Sequence, residues 1–119
     1  MAKTDEITIF HNPACGTSRN VLAAIRAAGA RPRVVEYLKA GWTEAQLKDL
    51  LGRMGKTPRD ILRIRGTPAE ALGLTDSKAS DAAILKAMLQ HPILVERPIV
   101  ASAKGVALCR PAEKVEALL

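Results

Sequence analysis

At 119 residues the chain has the length of one ordinary domain, long enough to bury a core without disulfide staples. Hydrophobic residues make up 48%, charged residues 25%, and no apolar run approaches the roughly 18 residues needed to cross a bilayer. One soluble α/β domain spanning residues 1–119 is expected, with no membrane association. The net charge of +6 raises the question of nucleic acid, but the aromatic residues are only Phe10, Tyr37 and Trp42, with no stacking motif and no basic run beyond the spaced Arg59, Arg63 and Arg65. A small oxyanion suits scattered arginines better, because the guanidinium fork matches its oxygens, and surplus positive charge would steer it in.

Residues Ile7 to Phe10 read as a buried strand, and Val21, Leu22 and Ile25 give the next segment an apolar helical stripe that ends near Gly29. Val34 to Tyr37 is the next expected strand, so the opening is β-α-β with a parallel pair. Thr43 and Gln46 form a capping-box signature ahead of Leu47, Leu50, Leu51 and Met54, and Gly55 closes that helix. Thr57-Pro58 and Thr67-Pro68 each announce a short helix, since a cap residue precedes a proline at the first helical position. Ser80 caps a further helix that stops before Pro92. Ile93–Val95, Ile99–Ala101 and Val106–Cys109 are strand candidates, the last two joined by a turn at Lys104-Gly105. A final helix is expected from Pro111, burying Val115, Leu118 and Leu119. This order has the skeleton of a thioredoxin-like fold: a mixed sheet with a helical insertion between its two halves.

The run HNPACGTSR lies at the junction of the first strand and first helix. Cys15 therefore meets unpaired backbone N–H groups and the positive end of a helix dipole, both of which favour a thiolate. His11 and Arg19, four residues to either side, are expected to add positive charge, and Gly16 and Ser18 to contact a bound anion, with Arg19 supporting the loop or else helping to hold the anion. The CGTS run has the spacing of a C-x-x-C redox pair but ends in Ser18, so the site is monothiol. Cys109, among Val106, Ala107 and Leu108, reads as buried and inert, and His91 as structural at a helix end. The two histidines and two cysteines are not spaced as a zinc site, and no metal is expected. The MAKTDE start lacks an apolar signal core, and two distant cysteines form no disulfide framework, which points to the cytoplasm.

Beyond these readings, the chain resembles the glutaredoxin-coupled arsenate reductases. The likeness runs in family order through HNPACGTSRN, the ILR ending at Arg63, the LGL of Leu72–Leu74, the LQHPIL of Leu89–Leu94, the ERPIV around Arg97 and the LCRP around Arg110. The resemblance implies that Cys15 is the nucleophile and that His11 promotes its thiolate. It further implies that Arg63, Arg97 and Arg110 hold the oxyanion and that Pro98 is the cis-proline beside the active thiol. It implies no bound cofactor, glutathione as co-substrate, glutaredoxin as partner, arsenate as substrate and a monomeric enzyme of arsenic detoxification. The chain stops at Leu119, where longer members continue with a polar segment.

Competing readings are a glutathione-dependent thiol oxidoreductase acting on another substrate and an RNA polymerase-binding regulator of the same fold. The first has no need of three arginines, and the second usually carries a C-x-x-C switch that Ser18 breaks. A low-molecular-weight tyrosine phosphatase-like loop would place its arginine further from the cysteine than Arg19 lies from Cys15.

Overall fold

Alternating burial along Ile7, Thr8 and Ile9, with Ile9 fully enclosed, marks the central strand, β1 (Thr8–His11). The computed structural model describes residues 7–119, which fall into two compact units, residues up to Ala40 together with Arg97–Leu119, and Gly41–Glu96. In the first unit β1 leads into α1 (Gly16–Ala27), which returns the chain to β2 (Arg33–Glu36), parallel to β1 with Thr8 opposite Arg33 and His11 opposite Glu36. One helical turn, α2 (Tyr37–Ala40), follows, so Tyr37 ends the strand expectation one residue early. β3 (Ile99–Ser102) joins the other edge of β1 antiparallel, and β4 (Gly105–Leu108) hairpins back on it. The sheet order is β2-β1-β3-β4, a mixed sheet as the element order implied.

One sheet face of this unit packs Ile7, Ile9 and Val100 against Val21 and Ile25 of α1, with Cys109, Val115 and Leu118 completing the cluster. Val115 and Leu118 come from the chain end, where the expected α-helix is a 3₁₀ helix over Ala112–Leu118, with Leu119 only partly buried. A 3₁₀ segment eclipses positions three apart, and Val115 and Leu118 have that spacing. The Ser102 hydroxyl ties this end to the sheet by donating to the Leu118 carbonyl at 2.8 Å.

The second unit opens on α3 (Glu44–Met54), whose N-terminus carries the full capping box. The Gln46 N–H donates to Thr43 Oγ1 at 3.1 Å, and the Thr43 N–H to Gln46 Oε1 at 3.4 Å. Gly55 ends the helix in the left-handed region at φ 67°, where a side chain would be strained. Because Thr43 is exposed, Thr43→Ala should leave no cavity and cost only the cap, about 1 kcal/mol. A fall in Tm of roughly 4 °C by calorimetry is the expected reading, and an unchanged Tm would mean the cap contributes nothing.

A 3₁₀ turn follows at Pro58–Ile61, as Thr57-Pro58 suggested, but Thr67-Pro68 starts no helix. Gly66 and Gly73 both take positive φ, at 74° each, and the six residues between them are too few to offset the cost of helix nucleation. That segment is instead a series of turns, and the stretch after it is anchored by Arg59, whose guanidinium donates to the carbonyls of Leu74, Asp76 and Ala79. α4 (Asp81–Gln90) begins where Ser80 accepts the Ala83 N–H at 3.1 Å, and packs Ile84, Leu85 and Met88 inward. His91 caps its end through its backbone N–H to the Ala87 carbonyl, rather than through its ring. The strand expected at Ile93–Val95 is another 3₁₀ turn, Pro92–Leu94, since proline favours the start of a turn and lacks a strand donor. Only Val95 pairs, in one antiparallel bridge with Leu62.

Candidate active site

An asparagine sits at the centre of the turn between β1 and α1. Asn12 accepts the Cys15 N–H on its carbonyl at 3.0 Å and the Ala14 N–H on Oδ1 at 2.9 Å, and it is almost wholly buried. The Asn12-Pro13 dipeptide is the sequence signal for such a turn; the site expectations did not include it. Cys15 is thereby set at the N-cap of α1 with extended backbone, its side chain half-buried. Arg19, exposed on the next turn, donates to the Pro13 carbonyl at 2.9 Å and so braces the loop.

Ser18 is not turned toward an anion. Its side chain is fully buried, with Oγ 2.6 Å from His11 Nδ1 and accepting the Asn12 N–H at 3.0 Å. What Ser18 offers the sulfur is its backbone N–H, on the third residue of α1. His11 likewise differs from the expected cation. It is buried, and burial, with lesser repulsion from Arg26 and Arg19, lowers its pKa against the opposing pull of Glu36. At neutral pH the ring is held neutral, acting on the turn through Ser18 rather than by a positive charge beside Cys15.

Positive charge comes from two arginines, Arg97 just ahead of β3 and Arg110 just after β4. Arg110 Nη1 donates to the Arg97 carbonyl at 3.0 Å and lies 3.7 Å from Cys15 Sγ. The Arg97 guanidinium also faces the sulfur, and its Nε and Nη1 are buried without a hydrogen-bond partner among the described residues. Both arginines precede cis prolines, Arg97-Pro98 as the resemblance implied and Arg110-Pro111, which it did not. Burial is the largest single influence on the Cys15 thiol and opposes ionisation. The Ser18 N–H, the hydrogen bonds from Arg97 and Arg110 and the charge of Arg97 together outweigh it, so the pKa falls below the ordinary thiol value.

The second thiol is placed oppositely. Cys109 follows β4, is fully buried in the apolar cluster, and burial pushes its pKa up to about 11. Thiolate absorbance titration of a Cys109→Ala variant should therefore report Cys15 alone, with a midpoint below that of a free thiol. Because this acid is stronger in the folded state, its thiolate stabilises the fold at higher pH, and that contribution fades as pH drops through the Cys15 midpoint. Arg97→Gln should raise the midpoint. A midpoint at or above the free-thiol value would mean burial wins.

Arg63 belongs to the second unit, where its Nη1 pairs with Glu96 Oε1 at 3.0 Å and its Nε donates to the Arg65 carbonyl at 3.1 Å. The ArsC family model matches residues 10–118. The chain belongs to the ArsC family. It is 55% identical over 113 residues to arsenate reductase ArsI2 of Synechocystis sp., covering 95% of this chain and 81% of that protein. An arsenate reductase of Escherichia coli K12 is 48% identical over 113 residues, covering 95% and 80%. Among solved structures, an arsenate reductase from Vibrio cholerae superposes with a TM-score of 0.89 at 37% identity, covering 95% of this chain and 97% of that one. The ArsC thioredoxin-like fold is thus the fold of this chain.

Proposed function

We propose that this protein reduces arsenate to arsenite, with Cys15 as nucleophile and Arg63, Arg97 and Arg110 as the guanidinium groups that hold the oxyanion. The observation that carries this reading is Arg97: two buried guanidinium nitrogens with no hydrogen-bond partner among the described residues, beside a thiol whose pKa is depressed. Buried donors are costly to leave unsatisfied, and the oxygens of a tetrahedral anion would meet that need. Family membership and the arsenate reductases among its relatives support the same substrate.

Arsenate near neutral pH is mostly a dianion, so a thiolate reaches it only after cations and N–H groups offset the repulsion. The arginines supply that offset as preorganised charge, requiring little rearrangement as the transition state forms. Cys15 Sγ attacks arsenic; an As–S bond forms, an As–O bond breaks, and the oxygen leaves as water after taking up protons. Arsenic is still pentavalent at this point. Glutathione then displaces a second oxygen as water. A glutaredoxin thiol next attacks the glutathione sulfur, and the electron pair of the S–As bond passes to arsenic. A disulfide leaves, trivalent arsenic remains on Cys15, and water releases arsenite with return of the thiol. The sum is arsenate plus two thiols giving arsenite, one disulfide and one water. Ser18 in place of a resolving cysteine and the burial of Cys109 support the need for these external thiols.

No helix among the described residues is long and apolar enough to cross a membrane; with a thiol that must stay reduced, a cytoplasmic monomer fits this chemistry. The test is nicotinamide-linked recycling of glutathione and glutaredoxin with the purified protein. Oxidation of the nicotinamide should require arsenate. Turnover with an unrelated disulfide but none with arsenate would replace this reading by that of a general thiol oxidoreductase.

A further inference from the structure

Arg63 is held by more than its own strand of backbone. The Arg63 N–H donates to the Leu94 carbonyl at 2.7 Å and the Glu96 N–H to the Ile61 carbonyl at 2.8 Å, on either side of the Leu62–Val95 bridge. In an antiparallel pair with that register, residues 63 and 96 lie diagonally on one face, within reach of long side chains. The contact is made: Nη1 to Oε1 at 3.0 Å, with the two side chains 17% and 24% exposed. The pairs Lys39–Glu36, Lys48–Glu44 and Arg53–Asp49 are far more open to solvent. Thr67 Oγ1 donates to the Arg63 carbonyl at 2.7 Å and fixes the backbone beneath it.

A guanidinium has five donors in a rigid fork. Here the Arg65 carbonyl takes Nε and the Glu96 carboxylate takes an N–H of Nη1, which leaves Nη2 uncommitted among the described residues. We propose that Glu96 is a positioning residue for arsenate reduction: it holds the Arg63 fork in one orientation and leaves the Nη2 side open to an oxyanion oxygen. This rests on the reading of Arg63 as an anion-binding arginine. A carboxylate beside an anion-binding group lowers the net attraction, so its presence is favourable only if the order it imposes outweighs the repulsion it adds. That comparison has a sign that experiment can read.

The test is a mutant cycle on KM for arsenate and on inhibition by inorganic phosphate, with kcat measured alongside. Glu96→Gln keeps the shape and a weaker acceptor and should raise KM about threefold; Glu96→Ala frees the fork and should raise it about tenfold, kcat staying within about twofold. Phosphate inhibition should weaken in parallel. In an Arg63→Ala background, Glu96→Ala should no longer raise KM and should lower it, because the group it positions is gone and only its repulsion is left to remove. A lower KM in either single Glu96 variant would show that the carboxylate only repels, and a further rise in the Arg63→Ala background would show a structural role; both overturn the proposal. If Arg63→Ala raises KM while the Glu96 variants match the parent protein, positioning alone fails. If Arg63→Ala leaves KM unchanged, the reading of Arg63 as an anion-binding arginine fails and the proposal falls with it.

Discussion

Cys15→Ser is expected to remove arsenate reduction altogether, with a loss on the order of a thousandfold or more. A serine hydroxyl stays protonated across the working pH range, and the Ser18 N–H, Arg97 and Arg110, which suffice to favour a thiolate, fall far short of ionising an alcohol. Oxygen also forms no adduct that a second thiol could open reductively. The fold should survive, because the Cys15 side chain is only half-buried and the turn around it is held by Asn12, Ser18 and Arg19. Cys109→Ala provides the contrast: it removes a buried atom from the apolar cluster, lowering stability modestly, but should leave the rate within about twofold. Circular dichroism and the arsenate-dependent rate on both variants separate the two thiols. An active Cys15→Ser protein beside a dead Cys109→Ala protein would reverse the assignment.

The parts of the fold legible in the sequence were those in which local chemistry and burial agree. Ile7, Ile9, Val21 and Ile25 alternate or recur with the period of the element they form, and all point into the same cluster. Thr43 with Gln46, Ser80 and Gly55 act within a few residues of themselves, so their effects needed no tertiary knowledge. Ile93–Val95 misled because an apolar run signals burial without naming the backbone, and Pro92 decided for a turn. Thr67-Pro68 is a true start signal without enough chain before Gly73 to use it.

At the site, the position of Cys15 at a helix N-terminus was legible in the strand–helix junction, whereas Arg97 and Arg110, which lie beside its sulfur, were named only through the resemblance. The state of His11 was not legible, because it depends on burial and on the 2.6 Å contact with Ser18, neither of which residue spacing reports. The same holds for Ser18, where a polar residue in a polar run turned its hydroxyl inward. The partner of Arg63 was hidden for a different reason: Glu96 lies 33 positions away, brought close only by the Leu62–Val95 bridge.

The second large effect concerns reductant. Reducing arsenate to arsenite takes two electrons, and a protein with one accessible thiol cannot supply them through a disulfide of its own. With Cys109 fully buried and its pKa near 11, formation of a Cys15–Cys109 disulfide is disfavoured by both access and ionisation. Mixed with arsenate alone, the protein should release no arsenite, and turnover should appear only when glutathione and glutaredoxin are both present. Thioredoxin with its reductase should substitute poorly if, as proposed, the species to be resolved carries glutathione rather than an internal disulfide. Mass spectrometry of a digest after arsenate and glutathione should place the added mass on the peptide containing Cys15, in the parent and Cys109→Ala proteins alike. Rapid turnover with thioredoxin alone, lost in Cys109→Ala and accompanied by a Cys15–Cys109 crosslink, would require the buried thiol to reach the surface during catalysis, and would make the protein a reductase of the internal-disulfide kind.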